Sequence, residues 1–286
     1  MKIASKIPEI RAFRQSHSGA TLGLVPTMGY LHEGHLELVR RAKRENDLVA
    51  ASIFVNPAQF APTEDLSRYP RDLERDLSLL AGENVDIVFT PDVQEIYPPD
   101  FQSAVLVKDV SRPLEGARRP AHFEGVATVV AKLFNIFQPN RAYFGQKDAQ
   151  QSVVIRQMVR DLNFGLAIVV CPTVREPDGL ALSSRNKYLT TDQRAAAVAL
   201  HQALMAAETS WKEGRRRADD LRSTMLDILM TEPLARVDYV SAANPVSLQE
   251  WEGEIPAAEG VLLSMAVFFD KTRLIDNFLL AGTEGG

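Results

Sequence analysis

Thr21-Leu-Gly-Leu-Val-Pro-Thr-Met-Gly-Tyr-Leu-His-Glu-Gly-His35 is the stretch whose reading decides the fold. Thr21 to Pro26 reads as a short apolar strand closed by a proline, and Gly34 to Glu45 as a helix. Leu38, Val39 and Ala42 lie on one stripe of that helix, with Arg40, Arg41, Lys43 and Arg44 mostly off it. Leu48 to Val55 follows as a near-continuous apolar run, the pattern of a strand covered on both faces. The alternation continues outward. Pro70 can open a helix running to about Ala81, and Asp86 to Phe89 reads as a buried strand. Phe123, Val126, Val130, Leu133, Phe134 and Phe137 recur at helical spacing. Arg141 to Phe144 is a predicted strand, Ala149 to Leu162 a helix and Leu166 to Val170 a strand. Strands separated by helices imply right-handed crossovers, hence an α/β fold with a doubly wound parallel sheet. Ligands of such sheets bind outside the carboxyl ends of the strands, so chemistry is expected just after Val25, Val55, Phe144 and Val170.

From about Glu176 the pattern changes to α+β. A loop rich in Pro, Asp, Gly, Ser and Asn leads to helices over Asp192 to Ala207 and Ala218 to Met230. Strands are predicted over Val237 to Ala242, Val261 to Phe269 and Arg273 to Leu279. The expected division is residues 1–175 as a nucleotide- and substrate-binding domain and 176–286 as a smaller C-terminal domain. Thr283 to Gly286 reads as a loose tail.

Composition narrows the function classes. The 286 residues are 45% hydrophobic and 24% charged, an ordinary globular balance, with a net charge of −5. A mildly acidic chain lacks the global pull that nucleic-acid binding relies on, so any anion must be held by a local cluster. Cys171 is the single cysteine, which excludes an intrachain disulfide and a Cys-rich zinc site. The N-terminal residues show no signal-peptide pattern, and no apolar run reaches the roughly 18 residues a membrane helix needs. The expected setting is the cytoplasm.

The strand ends carry the chemistry. His32 and His35 lie three apart at a helix entrance, where free N–H groups and the dipole suit phosphate; a metal pair or a capped turn is the alternative. Asn56 and Gln59 follow the next strand as neutral groups able to bind hydroxyls or carboxylates, although Asn before Pro also starts ordinary loops. Gly145, Gln146, Lys147 and Asp148 form a further strand–glycine–helix junction, with Gln151 one turn along. Ser183, Ser184 and Arg185 offer hydroxyls beside a guanidinium, either as a phosphate clamp or as a polar linker. Arg112, Arg118, Arg119 and His122 form another cationic group, anion-binding or merely solvated. Cys171, before Pro172, reads as buried filler.

Taken in order, PTMGYLHEGH, FVNPAQF, YPRDLERD, HFEGVATVVAKLFNIFQPNRAYFGQKDAQQ and CPTVREPDGLALSSRNKYL resemble the pantothenate synthetase (pantoate–β-alanine ligase) family. The resemblance covers nearly all of residues 20–190. It implies a Rossmann-like adenylyl-transferring fold, with His32-Glu-Gly-His35 similar to the HIGH motif and Leu182-Ser-Ser-Arg185 to a mobile phosphate loop. It further implies ATP contacts at Met28, Gly29, His32, His35, Gly145, Gln146, Lys147, Asp148, Val174, Leu182, Ser183, Ser184 and Arg185, with His35 as proton donor. Gln59 and Gln151, with Asn56, Tyr69 and His122, are implied to hold pantoate and β-alanine. The implied activity is ATP- and Mg²⁺-dependent ligation through a pantoyl adenylate by a cytoplasmic homodimer, with the C-terminal domain as a lid over ATP. Three positions depart from the family pattern: Gln146 where Glu is common, Leu182 where Met is common, and Tyr30 where a small residue is common. A nucleotidylyltransferase and a regulatory nucleotide-binding module are the rival readings. Release of free AMP separates the ligase from both.

Overall fold

The computed structural model describes residues 1–62 and 64–282. The tail read at Thr283 to Gly286 lies outside the described residues. The chain divides into two compact units, one of Met1–Gln146 and Gln150–Pro172, the other of Lys147–Ala149 and Thr173–Gly286.

The first unit is a six-stranded sheet, all of whose pairs are parallel. Its elements run β1 (Lys2–Ala4), α1 (Ile7–Ser16), β2 (Leu22–Thr27), α2 (Glu33–Glu45), β3 (Leu48–Ile53), α3 (Leu73–Gly82) and β4 (Ile87–Phe89). Two single-turn helices follow, α4 (Val93–Ile96) and α5 (Glu115–Arg118), then α6 (His122–Phe137), β5 (Arg141–Gly145), α7 (Ala149–Asp161) and β6 (Ala167–Cys171). Strand order is β1-β4-β3-β2-β5-β6. The progression reverses at β2, which pairs with both β3 and β5, and such a switch point opens a crevice at the carboxyl ends. The strands are buried because both faces are covered: Leu22, Leu24, Val25, Val49, Ala50 and Ala51 are almost wholly inaccessible. Cys171 is buried in the core beside Val25, Val49 and Tyr143, and burial pushes its thiol above the ordinary range.

Two sequence expectations are corrected, and two elements carry no readable signal. α3 begins at Leu73 rather than Pro70, because the Asp72 side chain accepts from Arg75 N at 3.2 Å and supplies the cap. β1 and α1 lack a readable pattern, since only Ala4 of β1 and Ile10 of α1 are buried. The helix read over Asp192 to Ala207 is two, α8 (Thr191–Ala196) and α9 (Ala199–Lys212). Thr190 and Gln193 form a capping box that starts the first, and a tight turn at Ala197 and Val198 starts the second.

The second unit adds α10 (Ala218–Met230) and an antiparallel sheet of β7 (Ala235–Ala243), β8 (Val261–Phe269) and β9 (Thr272–Leu280), in that order. Alternate residues of β8, Val261, Leu263, Met265, Val267 and Phe269, enter one core with Leu204 and Trp211 of α9 and Leu221 and Met225 of α10. Among the described residues no helix is long and apolar enough to cross a membrane.

Candidate active site

In the first unit, the segment after β2 makes a left-handed turn into α2. Gly29 has φ +82°, and Tyr30 follows at φ +51°, a region that disfavours a side chain. The turn is held from α3. Buried Asp76 accepts from Tyr30 N at 2.6 Å and Leu31 N at 2.7 Å, and Arg75 donates to Leu31 O at 2.9 Å. Burial pushes the Asp76 carboxyl above its ordinary range, against the pull of the two amides. Asp76 carries no signal in the sequence, since an acidic residue in the first turn of a helix is unremarkable without its partners.

His32 is the N-cap of α2, and His35 is its third residue. Their ring centroids lie 4.1 Å apart. His32 N–H points at His35 Nδ1, 3.3 Å away, so Nδ1 is the lone-pair nitrogen and Nε2 carries the hydrogen. A proton on Nδ1 would set two N–H groups against each other. This geometry makes His35 a neutral Nε2–H donor at the N-terminal end of a helix, where the dipole favours anions.

The segment after β3 carries Asn56 and Gln59 into a short 3-10 turn, Pro57–Gln59, capped by Asn56. Both side chains are buried. Gln59 Nε2 lies 3.2 Å from Met28 Sδ, which joins this segment to the one after β2. Asn56 is fully occupied within the protein. Its Oδ1 accepts from Ala58 N at 3.3 Å and Tyr97 Oη at 2.8 Å, and its Nδ2 donates to Gln59 Oε1 and Gly125 O, each at 3.1 Å. Tyr69 is buried and meets Phe60 edge-on at 5.9 Å.

His122, the first residue of α6, packs on the same turn. Nδ1 is 2.9 Å from Gln59 O, so it carries a hydrogen; Nε2 is 3.2 Å from Arg119 Nη1 and accepts. Burial, reinforced by the Arg119 charge, pushes His122 down to about 4, well below the ordinary histidine range. Arg119 is itself forked onto Glu64 at 2.5 and 2.9 Å. Burial drives the Glu64 carboxyl up, but the fork outweighs it and holds Glu64 below its usual range. The cationic group read before α6 is therefore a structural pairing at Arg119 and His122, rather than a free anion site.

A depressed histidine stabilises the fold only while neutral. Between pH 6.5 and about 4 the unfolded chain binds the proton that the folded chain refuses, so this contribution is present above pH 6.5 and lost on acidification. His122→Gln removes the titration while keeping a donor. The melting-temperature advantage of wild type over this variant is expected to shrink from pH 7.5 to 4.5, and a constant difference would contradict the neutral assignment.

Gln151 is half-buried near the start of α7, beside Gln150, whose amide is spent on Glu115 N, Val110 O and Pro113 O. Gly145 ends β5, and Gln146 is half-buried after it.

In the second unit, Lys147, Ser183, Asn186 and Asp276 line one small cleft. Lys147 O accepts from Asn277 Nδ2 at 2.8 Å, and Asp148 is exposed. Leu182 N bonds Val174 O at 3.0 Å, and Arg175 pairs with Ala181, so the Glu176 to Ala181 segment is a closed hairpin rather than open linker. Arg175 forks onto buried Asp276 at 2.6 and 2.9 Å and also donates to Gly179 O. Ser183 accepts from Arg185 N at 3.2 Å and caps the turn Ser184–Tyr188, within which Ser184 is buried. Asp276 and Asn277 are adjacent, both buried, and carry no local sign of the partners they meet, Arg175 and Lys147.

Comparisons with known proteins give the family of the chain. A family model described as pantoate-beta-alanine ligase matches residues 2–279. The pantothenate synthetase of Chloroflexus aurantiacus is 58% identical over 282 residues, covering 99% of each chain. A crystal structure of pantothenate synthetase from Thermus thermophilus is 47% identical with a TM-score of 0.91, covering 97% of this chain and 99% of that one. The Francisella tularensis pantoate-beta-alanine ligase, complexed with beta-gamma ATP and β-alanine, is 37% identical with a TM-score of 0.81 over 98% of this chain and 97% of its own.

Proposed function

The chain belongs to the pantoate–β-alanine ligase family, and from that membership we propose how its residues carry the reaction. It joins pantoate to β-alanine with consumption of ATP. In the reading proposed, a pantoate carboxylate oxygen attacks the α-phosphorus of ATP, and the bond to the leaving pyrophosphate breaks. The amine of β-alanine then attacks the acyl carbon of the pantoyl adenylate, and AMP leaves with the acyl–oxygen bond broken. No covalent enzyme intermediate is needed, so catalysis is alignment plus stabilisation of charge on the leaving groups.

The single observation that carries this reading is the His32–His35 helix entrance lying beside Gln59, through Met28, at the switch point of the sheet. The α2 amides and His35 Nε2–H serve the phosphates, with Met28, Gly29 and His32 alongside. Gln59 and Gln151, with Tyr69, serve pantoate. Gly145, Gln146, Lys147, Asp148, Val174, Leu182, Ser183, Ser184 and Arg185 complete the proposed ATP contacts, and the C-terminal unit acts as lid. Mg²⁺ enters with the nucleotide. When bound, it would supply positive charge that offsets the phosphate oxygens of the leaving group. Cytoplasmic location and homodimer assembly complete the proposal and rest on the family.

Reaction order supplies the test. Pyrophosphate–ATP exchange is expected to require pantoate and to proceed without β-alanine. Exchange that needs β-alanine, or that runs without pantoate, would overturn the adenylate route.

A further inference from the structure

We propose that Asn56, Tyr97 and His122 are positioning residues that touch no substrate and together make Gln59 a hydrogen-bond donor toward the bound acid. The inference rests on the ligase reading above and assigns the polarity of its pantoate-binding amide.

Two backbone groups fix the Asn56 amide independently. Ala58 N–H can only donate, so the side-chain atom that caps it is Oδ1. Gly125 C=O can only accept, so the atom that meets it is Nδ2. With that orientation set, the second Nδ2 hydrogen goes to Gln59, and the Gln59 atom receiving it must be Oε1. Gln59 therefore turns its Nε2 away from Asn56, spending one hydrogen on the weakly accepting thioether of Met28. The other hydrogen is the group presented to a carboxylate or hydroxyl of the substrate.

Tyr97 completes the device. Its hydroxyl occupies the remaining lone pair of Asn56 Oδ1, and burial pushes the phenol up to about 12, so it stays a donor throughout the working pH range. Tyr97 is held by rings on two sides, with Phe54 at 6.3 Å and Phe101 at 5.1 Å between centroids. The Lys132 ammonium lies 4.3 Å from the Phe101 ring centre and 5.8 Å from that of Tyr97. Both acceptor and both donor positions of Asn56 are thus filled inside the protein, and none is left for pantoate. His122 fixes the other end of Gln59 by donating to its backbone carbonyl, and its second nitrogen is taken by Arg119. Asn56 and His122 meet this glutamine directly, and Tyr97 acts on it through Asn56. A free glutamine amide could face its ligand either way round. This one cannot.

The test is a mutant cycle read as KM for pantoate against KM for ATP. In the wild-type background, Asn56→Ala is expected to raise the pantoate KM at least tenfold while moving the ATP KM less than twofold. In a Gln59→Ala background, where there is no amide to orient, the same change is expected to cost less than twofold more. Additive losses would show that Asn56 meets the substrate itself and would overturn the proposal. Tyr97→Phe keeps the ring packing and guards against loss of folding. It is expected to raise the pantoate KM about three- to tenfold in wild type and to do nothing measurable in Gln59→Ala. An ATP KM that rises in parallel would mean a general structural effect and would also overturn it. A wild-type chain that fails to ligate pantoate and β-alanine would remove the underlying reading and this inference with it; additive losses in an active wild type remove this inference alone.

Discussion

Replacing His35 with alanine is expected to lower kcat by about 10²–10⁴, the range for losing an acid or oxyanion-type donor. The structure gives the reason a specific form. His35 Nδ1 is engaged by His32 N–H, which commits the hydrogen to Nε2 at the open end of α2. A neutral N–H donor placed where helix amides already converge stabilises charge as pyrophosphate leaves, without the repulsion an imidazolium would meet from the helix dipole. His35→Asn keeps one donor and is expected to recover part of the loss. Nitrogen NMR of the ring supplies the direct check: the free protein should show the Nε2–H tautomer. A resting Nδ1–H form, or an alanine variant within tenfold of wild type, would remove His35 from this role.

Gly125→Ala is the second substitution expected to act strongly, although it lies on a helix and is not itself a proposed ligand contact. A Cβ built at Gly125 falls 2.3 Å from Ala58 O and 2.6 Å from Gln59 N, both backbone atoms. No flexible side chain can yield there, so the Pro57–Gln59 turn must lift from α6. Overpacking of this kind costs roughly 1–3 kcal/mol. The displaced turn also breaks the bond from Asn56 Nδ2 to Gly125 O. We expect a lowered melting temperature together with a pantoate KM raised at least tenfold. A variant with unchanged melting and unchanged pantoate KM would show that the turn has slack the packing does not suggest.

These two residues mark the limits of reading this chain from its letters. His35 was legible because its spacing from His32 and its place between a strand and a helix are local features. Gly125 was not, because it sits among small and apolar residues of α6, and nothing nearby in sequence hints at Ala58. Asp76 and Tyr97 were hidden for the same reason. Each acts on a backbone amide or a side chain about 40 residues away, Asp76 on Tyr30 and Leu31, Tyr97 on Asn56. Asn56 suits a hydroxyl or carboxylate by residue type, and the family resemblance makes both Asn56 and His122 expected substrate contacts. Their hydrogen-bonding capacity is consumed partly by neighbours, Ala58, Gln59 and Arg119, and partly by Gly125, Tyr97 and the Gln59 carbonyl, which lie 41 to 69 positions away and leave no local trace. The second unit repeats the lesson, with Arg175 holding its hairpin to Asp276, 101 positions on.

The sequence by itself determined the α/β alternation, the parallel sheet and the strand ends at which chemistry gathers. Hydrophobic periodicity and turn residues are local codes, and crossover handedness limits how such elements can be joined. Only the tertiary structure decided which of the polar residues at those strand ends remain available to a ligand. That depends on where the buried donors and acceptors of distant segments fall, and on the cost of leaving any of them unpaired.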